Sequence, residues 1–262
     1  MRVKGASSDN DWDKYTYFGT KLSIRGLSIL PSSYCMTNFA ENRFMIAINK
    51  FSRGEELANA ISHFVGALLA VAGLVLMVSN SMARGNVWIV TSTSIFGASM
   101  IILYFSSTLT HILPMGRTKD FFFNFDRIAI YILIAGTVTP IALITLHGPF
   151  GWVIFGIEWG LAILGTILIL ARPGDYDTGV NKFYVASYAV MGWLILIAIV
   201  PLVKTLPVMG NVWILIGGLS YSLGIVFFKF MKFPYHHLVW HLLVIAGTIS
   251  HFFAVYFFII PG

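Results

Sequence analysis

The stretch FPYHHLVWHLLVIAGTISHFFAVYF, residues 233–257, combines two features that decide the fold and point to a site. From position 237 to 259 the chain is apolar over about the 20 residues that an α-helix needs to cross the hydrocarbon core of a bilayer. The same run carries His237 and His241, four residues apart, so both imidazoles lie on one helix face. The stretch therefore predicts a membrane-spanning helix with a polar cluster at one end.

Six further runs have the same apolar character, and Gly- and Pro-containing turns separate them. The chain is 57% hydrophobic and 11% charged, far from the balance of a soluble domain. Backbone groups in lipid must be hydrogen bonded within the protein, which favours helices. We therefore predict an all-α polytopic membrane protein, a bundle of seven transmembrane helices at 57–79, 87–109, 128–146, 152–171, 183–202, 208–228 and 237–259.

The chain divides into a polar N-terminal segment, residues 1–50, and a seven-helix membrane domain, residues 51–262. The N-terminal segment lacks the apolar core of a signal peptide, and we expect it to be a mostly disordered cytoplasmic tail. Its Cys35 is the sole cysteine, which excludes an intramolecular disulfide and a cysteine metal cluster within one chain.

Lysine and arginine are distributed unequally between the two sides of the predicted bundle. Of the 17 such residues, 15 lie before the first predicted helix or in the second, fourth and sixth loops. The positive-inside rule then predicts a cytoplasmic N-terminus and an external C-terminus. The basic charge is thus a topology signal, and we expect membrane lipids as partners and no nucleic acid.

This topology brings ionisable residues from three helices to the cytoplasmic membrane face. His111 ends the second helix, Asp126 opens the third, and His237 and His241 lie in the first turns of the seventh. Zinc is commonly bound by three protein ligands in catalytic sites, with a fourth position for water. We therefore predict a Zn²⁺ site made by the three histidines, although imidazole also suits iron and manganese.

Two residues are candidates for catalysis beside this metal. Asp126 could orient the activated water or accept its proton, and Ser107, one helical turn before His111, could hold a water or a substrate oxygen. The alternatives are structural. Asp126 could cap the third helix, Ser107 could bond its own helix backbone, and the histidines could be interfacial residues that meet headgroups.

The other buried ionisable residues are less well placed for this site. His63 has a compatible depth and is a reserve ligand, although a hydrogen bond to Asn59 or a neighbour explains it as well. His251 stands about 15 Å from His241 along the helix axis, too far to share an ion. Glu158, in the fourth helix, lies at the wrong depth.

Four stretches resemble the hemolysin III family of bacterial membrane proteins, which is similar to the progestin and adipoQ receptors and, more distantly, to alkaline ceramidases. They are GEELANAISHFVGALLAVAGLVL at 54–76, SSTLTHILP at 106–114, FDRIAIYILIAGTVTP at 125–140 and the opening stretch. Thr110 departs from the aromatic residue expected before the histidine, and residues 1–50 have no counterpart. The stretch MIAINKFSRGEEL, which begins at Met45, resembles a normal start for this family, and we therefore hypothesise that translation begins at Met45.

The resemblance implies a seven-helix bundle in the bacterial inner (plasma) membrane. It also implies zinc held by His111, His237 and His241, with Asp126 acting through a water and Ser107 as the serine of an SxxxH motif. Hydrolysis of lipid amides has been proposed for this superfamily.

Four functions follow as hypotheses. The first is a zinc-dependent membrane hydrolase of a lipid-like amide or ester, in which Ser107 steadies the oxyanion or water. The second is a receptor or sensor with structural zinc. The third is a cytolysin, as the family's name suggests, although no amphipathic pore-forming segment is evident. The fourth, a transporter, is the least favoured because no pair of broken helices stands out.

Overall fold

The computed structural model describes residues 51–171 and 178–261, and the part of the chain that it describes is helical. The helices are α1 Arg53–Ala83, α2 Val87–Ile112, α3 Arg117–Pro140, α4 Gly148–Leu170, α5 Thr178–Leu194, α6 Ile199–Thr205, α7 Val208–Phe230 and α8 His236–Ala254. Short π-helical segments, Ile141–Leu146 and Val255–Ile259, extend α3 and α8, and the 3₁₀ segment Ile195–Ala198 joins α5 to α6.

Seven segments in this part of the chain are long and apolar enough to cross a membrane. The third includes the π-helical extension of α3, the fifth runs from within α5 to the end of α6, and the seventh is α8 with its extension. The prediction of an all-α bundle with seven spans is therefore confirmed. The predicted tail, its Cys35 and the proposed start at Met45 lie outside the described residues.

The starts of α1 and α8 are tied together by a single carboxylate. Ser52 and Glu55 form a capping box at the start of α1, in which Glu55 Oε2 accepts a hydrogen bond from the Ser52 backbone N–H. The other oxygen, Glu55 Oε1, accepts one from the backbone N–H of Tyr235, at 2.9 Å. Tyr235 precedes α8 in the left-handed conformation, with φ 63°. Glu55 therefore joins the start of α1 to the start of α8.

Helix α1 packs against both α2 and α8, and α2 also packs against α3. Small residues allow the close approach of α1 and α2. A Cβ added at Gly66 would stand 2.9 Å from the ring of Tyr104, and Gly97 lies directly against Leu74. Such contacts are typical of helices in membranes, where packing rather than the hydrophobic effect drives association. They hold α1 in close contact with α2.

The outer and inner surfaces of the bundle have the distribution expected of a protein surrounded by lipid. Large apolar side chains are exposed along the outer faces of the spans, as at Leu68, Leu164 and Ile197. Serine, threonine and histidine side chains are buried inside, and many serine and threonine hydroxyls bond a carbonyl of their own helix. Buried ionisable groups in such an interior are candidates for function.

The start of α3 differs from the prediction. The helix begins at Arg117, after Gly116, and 11 residues before the predicted start at position 128. Asp126 therefore lies in the third turn of α3, and the expectation that it opens or caps this helix is wrong. The charged residues of the first turns, such as Lys119 and Asp120, suggested a loop, but helical turns at the end of a span can carry such residues outside the hydrocarbon core.

Candidate metal centre

Three histidine side chains from two helices converge at the end of the bundle where α1 and α8 begin. His237 and His241 lie one turn apart on α8, and their Nε2 atoms are 3.1 Å from each other. His111, in the last turn of α2, completes a group whose possible ligand atoms all lie within 4.8 Å of one another. His111 and His241 are buried, and His237 is half-buried. The structure thus brings together the three residues that the sequence singled out.

The spacing of these nitrogens fits a shared metal ion. Two imidazole nitrogens that each bind a tetrahedral zinc at about 2.0–2.1 Å stand about 3.3 Å apart. The 3.1 Å between the His237 and His241 Nε2 atoms is close to that separation. Three imidazoles also match the ligand set of catalytic zinc sites that keep one position open. The residues present could therefore hold such an ion.

Helix α1 supplies hydrogen-bond partners for the opposite nitrogens of two of these rings. His111 Nδ1 lies 2.6 Å from Glu56 Oε2. His241 Nδ1 lies 3.1 Å from the Ser62 hydroxyl and 3.2 Å from the Asn59 backbone carbonyl. With Nδ1 engaged in this way, Nε2 is the nitrogen that remains for a metal on both rings.

The two predicted catalytic residues lie close to each other. The half-buried carboxylate of Asp126, on α3, lies near the hydroxyls of Ser107 and Ser106 on α2. Ser107 precedes His111 by one helical turn, on the same face of α2. Asp126 is not part of the group of side chains whose ligand atoms could share one ion within the described residues. Ser107 therefore lies one helical turn from a histidine of the centre, with Asp126 near it, and neither residue is one of the three possible ligands.

His63 does not join the three converging histidines. Its ring lies flat against that of His241, with centroids 3.5 Å apart and an interplanar angle of 12°. Neither of its ring nitrogens has a hydrogen-bond partner among the described protein atoms, so the expected bond to Asn59 is wrong. The side-chain amide of Asn59 is also buried without such a partner. The His63 ring and the Asn59 amide are thus buried polar groups next to His241 without hydrogen-bond partners among the described protein atoms.

Two other histidines of α8 lie outside the group and bond backbone carbonyls. His236 Nδ1 donates to the Phe233 carbonyl at 2.9 Å, within its own turn. His251 Nδ1 is 3.0 Å from the Gly247 carbonyl, and His251 lies almost three helical turns beyond His241. The ring of Phe51 lies 4.9 Å from that of His237 and forms an aromatic contact on this side of the centre.

Sequence reasoning placed His63 of α1 at this depth but missed the contact that α1 makes with His111 through Glu56. Glu56, Asn59 and His63 are spaced by three and four residues, which places them on one helix face, and all three lie next to the converging histidines. That spacing was a usable signal for a polar face. The partner of this face was not readable, because periodicity does not say which neighbouring helix a face meets.

Comparison with known proteins identifies the family of this chain. The family model described as "Haemolysin-III related" matches residues 51–252, which include every residue of the centre. The chain belongs to the haemolysin III family. It is 41% identical to Hemolysin-3 of Bacillus cereus over 210 residues, covering 79% of this chain and 93% of that protein.

Two further relatives extend the comparison. The Hemolysin-3 homolog of Bacillus subtilis (strain 168) is 40% identical over 211 residues, covering 79% of this chain and 96% of that protein. The human Monocyte to macrophage differentiation factor is 28% identical over 208 residues, covering 77% and 83% of the two chains. The likeness thus spans the membrane domain of this protein and nearly the full length of its bacterial relatives.

Proposed function

We propose that this haemolysin III family member is a zinc-dependent membrane hydrolase that acts on a lipid-like amide or ester. The observation that carries the proposal is the convergence of His111, His237 and His241 beside the Asp126–Ser107 pair. A metal site next to a carboxylate and a hydroxyl contains the groups that hydrolysis of an acyl bond requires.

The three histidines would hold the metal through their Nε2 atoms. When bound, zinc supplies a Lewis acid that polarises a carbonyl and makes water a stronger nucleophile near neutral pH. Asp126 would accept the proton of the attacking water, acting as general base, and later return it to the leaving amine or alcohol. Ser107 would donate a hydrogen bond to the oxygen that becomes negatively charged.

The position of the centre supports a lipid-like substrate. It lies at one end of the spans, where a headgroup meets the hydrocarbon, and the outer faces of the bundle are apolar. A molecule with an acyl chain in the bilayer and its amide or ester at the interface would reach this depth. The buried Asn59 amide and His63 ring provide polar atoms nearby for such a group or for water.

The test is turnover by detergent-purified protein on ceramides, N-acyl amides and phospholipids, before and after removal and return of zinc. We expect metal-dependent release of a fatty acid from at least one substrate, and its loss in Asp126→Asn and Ser107→Ala proteins that still contain metal. Absence of turnover across all three classes by zinc-loaded protein would refute the hydrolase. Loading with iron or manganese in the same assay tests the choice of metal.

A structural role for the metal is the second candidate, as in a receptor or sensor. It is favoured by the origin of the ligands, because one ion would join α2 to α8 at the end of the bundle. In that case, removing zinc should lower the melting temperature by many degrees while no substrate is turned over. Turnover with little change in melting temperature would exclude it.

The name of the two bacterial relatives, Hemolysin-3, raises lysis of host cells as a third function. We favour instead a resident of the bacterial inner membrane with its N-terminus in the cytoplasm, because of the seven apolar spans and the distribution of lysine and arginine. Reporter fusions at each terminus test the orientation. Release of haemoglobin by purified protein added to red cells, equal in wild type and a histidine variant, would support a lytic function independent of the centre.

A further inference from the structure

Glu56 lies between a histidine of the centre and a buried lysine. Its Oε2 is 2.6 Å from His111 Nδ1, and its Oε1 is 3.6 Å from Lys119 Nζ. The three side chains come from α1, α2 and α3, respectively. One carboxylate of α1 therefore contacts side chains of α2 and α3, and it meets the histidine of the centre through Nδ1.

The contact with His111 has the geometry of an oriented metal ligand. An imidazole that offers Nε2 to a metal carries its hydrogen on Nδ1, and that N–H needs an acceptor. A carboxylate at 2.6 Å is a short, charge-assisted acceptor. Such a partner fixes the tautomer and the ring orientation, and makes the imidazole a better donor to the metal.

Lys119 holds the carboxylate from its other side. Its side chain is buried, and its ammonium donates to the Leu113 carbonyl at 3.4 Å, directly after the end of α2. A buried ammonium needs a counter-charge, and in the described part of the chain the carboxylate of Glu56 lies within ion-pair distance. Both oxygens of the Glu56 carboxylate are therefore held, one by His111 and the other by Lys119.

We propose that Glu56 is a positioning residue of the metal centre, which acts through His111 and is itself held by Lys119. This inference rests on the metal site of the proposed function but not on the hydrolysis. It assigns to α1, which contributes no ligand, the task of setting the strength with which the site binds its ion.

The adjacent Glu55 offers a matched control. Its carboxylate accepts hydrogen bonds from the backbone N–H groups of Ser52 and Tyr235, and among the described residues it is not part of the group formed by the three histidines. It is the same residue type, one position away on the same helix end. Its replacement perturbs the start of α1 without touching His111.

The experiment compares zinc dissociation constants of wild type and the Glu56→Ala, Glu56→Gln and Glu55→Gln variants, measured by chelator competition on detergent-purified, gel-filtered protein. We expect Glu56→Ala to bind zinc about 10–100-fold more weakly, in the range typical of lost outer partners of a ligand. Glu56→Gln, whose amide oxygen still accepts a hydrogen bond, should fall between Ala and wild type. Glu55→Gln should bind as wild type does.

A spectroscopic readout separates positioning from general destabilisation. The visible absorption bands of the cobalt-substituted protein report the ligand field, and they should shift in Glu56→Ala and remain in place in Glu55→Gln. Unchanged affinity and bands in Glu56→Ala, with metal present in wild type, would overturn this inference alone, as would equal weakening by Glu55→Gln. A wild type that binds no metal would overturn the proposed centre together with it.

Discussion

Buried histidines and carboxylates occur in two parts of the bundle, and only in one of them do they meet. At the end where α1 and α8 begin, three imidazoles converge and one of them contacts the carboxylate of Glu56. Deeper in the bundle, His251 bonds the Gly247 carbonyl and stacks on Tyr221, with ring centroids 5.5 Å apart. Glu158 on α4 is fully buried, and neither of its oxygens has a hydrogen-bond partner among the described protein atoms.

The difference shows that burial of an ionisable side chain does not by itself make a site. His251 and His241 lie on the same helix and are both buried, yet within the described residues only His241 contacts the rings of histidines on other helices. Convergence arises because α1 packs between α2 and α8 and supplies Glu56, Ser62 and the Asn59 carbonyl. The same substitutions made in the two regions should therefore have different consequences.

The largest contrast is expected between the carboxylates of Asp126 and Glu158. Asp126→Asn removes the proposed base, and the turnover number should fall by about 10²–10⁴-fold, the usual contribution of general base catalysis, while the zinc content stays unchanged. Glu158→Gln should leave the turnover number within a few-fold of wild type. Equal losses in the two variants, measured on the best substrate of the lipid screen, would contradict the assignment.

The histidines should differ in metal affinity. His111→Ala removes a ligand and should weaken zinc binding by more than about 100-fold, since loss of an outer partner alone costs 10–100-fold. His251→Ala should keep the affinity but lower the melting temperature by several degrees, because the ring packs directly against Gly217 and leaves a cavity. Chelator competition and thermal unfolding of both variants check this. Loss of metal from His251→Ala would break the comparison.

The smallest effect is expected within the centre itself. Ser62→Ala removes one of the two acceptors near His241 Nδ1 and leaves the Asn59 carbonyl at 3.2 Å. Zinc affinity should fall by less than about tenfold, since the remaining acceptor still fixes the ring. A loss as large as that in His111→Ala would mean that the carbonyl does not replace the hydroxyl.

The bundle and the histidine group were predictable from the sequence for a specific reason. Length and hydropathy define the spans, and the order of spans gives each residue a depth, so His111, His237 and His241 were expected at one level. Depth does not give the rotation of each helix. The contact of Glu56 with His111 and the stacking of His63 on His241 depend on how α1 faces its neighbours, which no local pattern encodes.

Helix ends were predicted less well than helix existence. The charged residues near Lys119 suggested a loop, but α3 begins at Arg117 and places Asp126 in its third turn. The predicted depth of Asp126 in the membrane was nevertheless close to that of Ser107, and the two residues lie near each other in the structure. The roles of Asp126 and Ser107 remain predictions that turnover must test.

The most direct test of the metal centre is the metal content of the purified protein. Inductively coupled plasma mass spectrometry would be applied to wild type and to a His237→Ala/His241→Ala double variant, both purified in detergent without chelator. We predict about one zinc per chain in wild type and none in the variant, because a single imidazole remains. Absence of metal from both, or equal metal in both, would contradict the account.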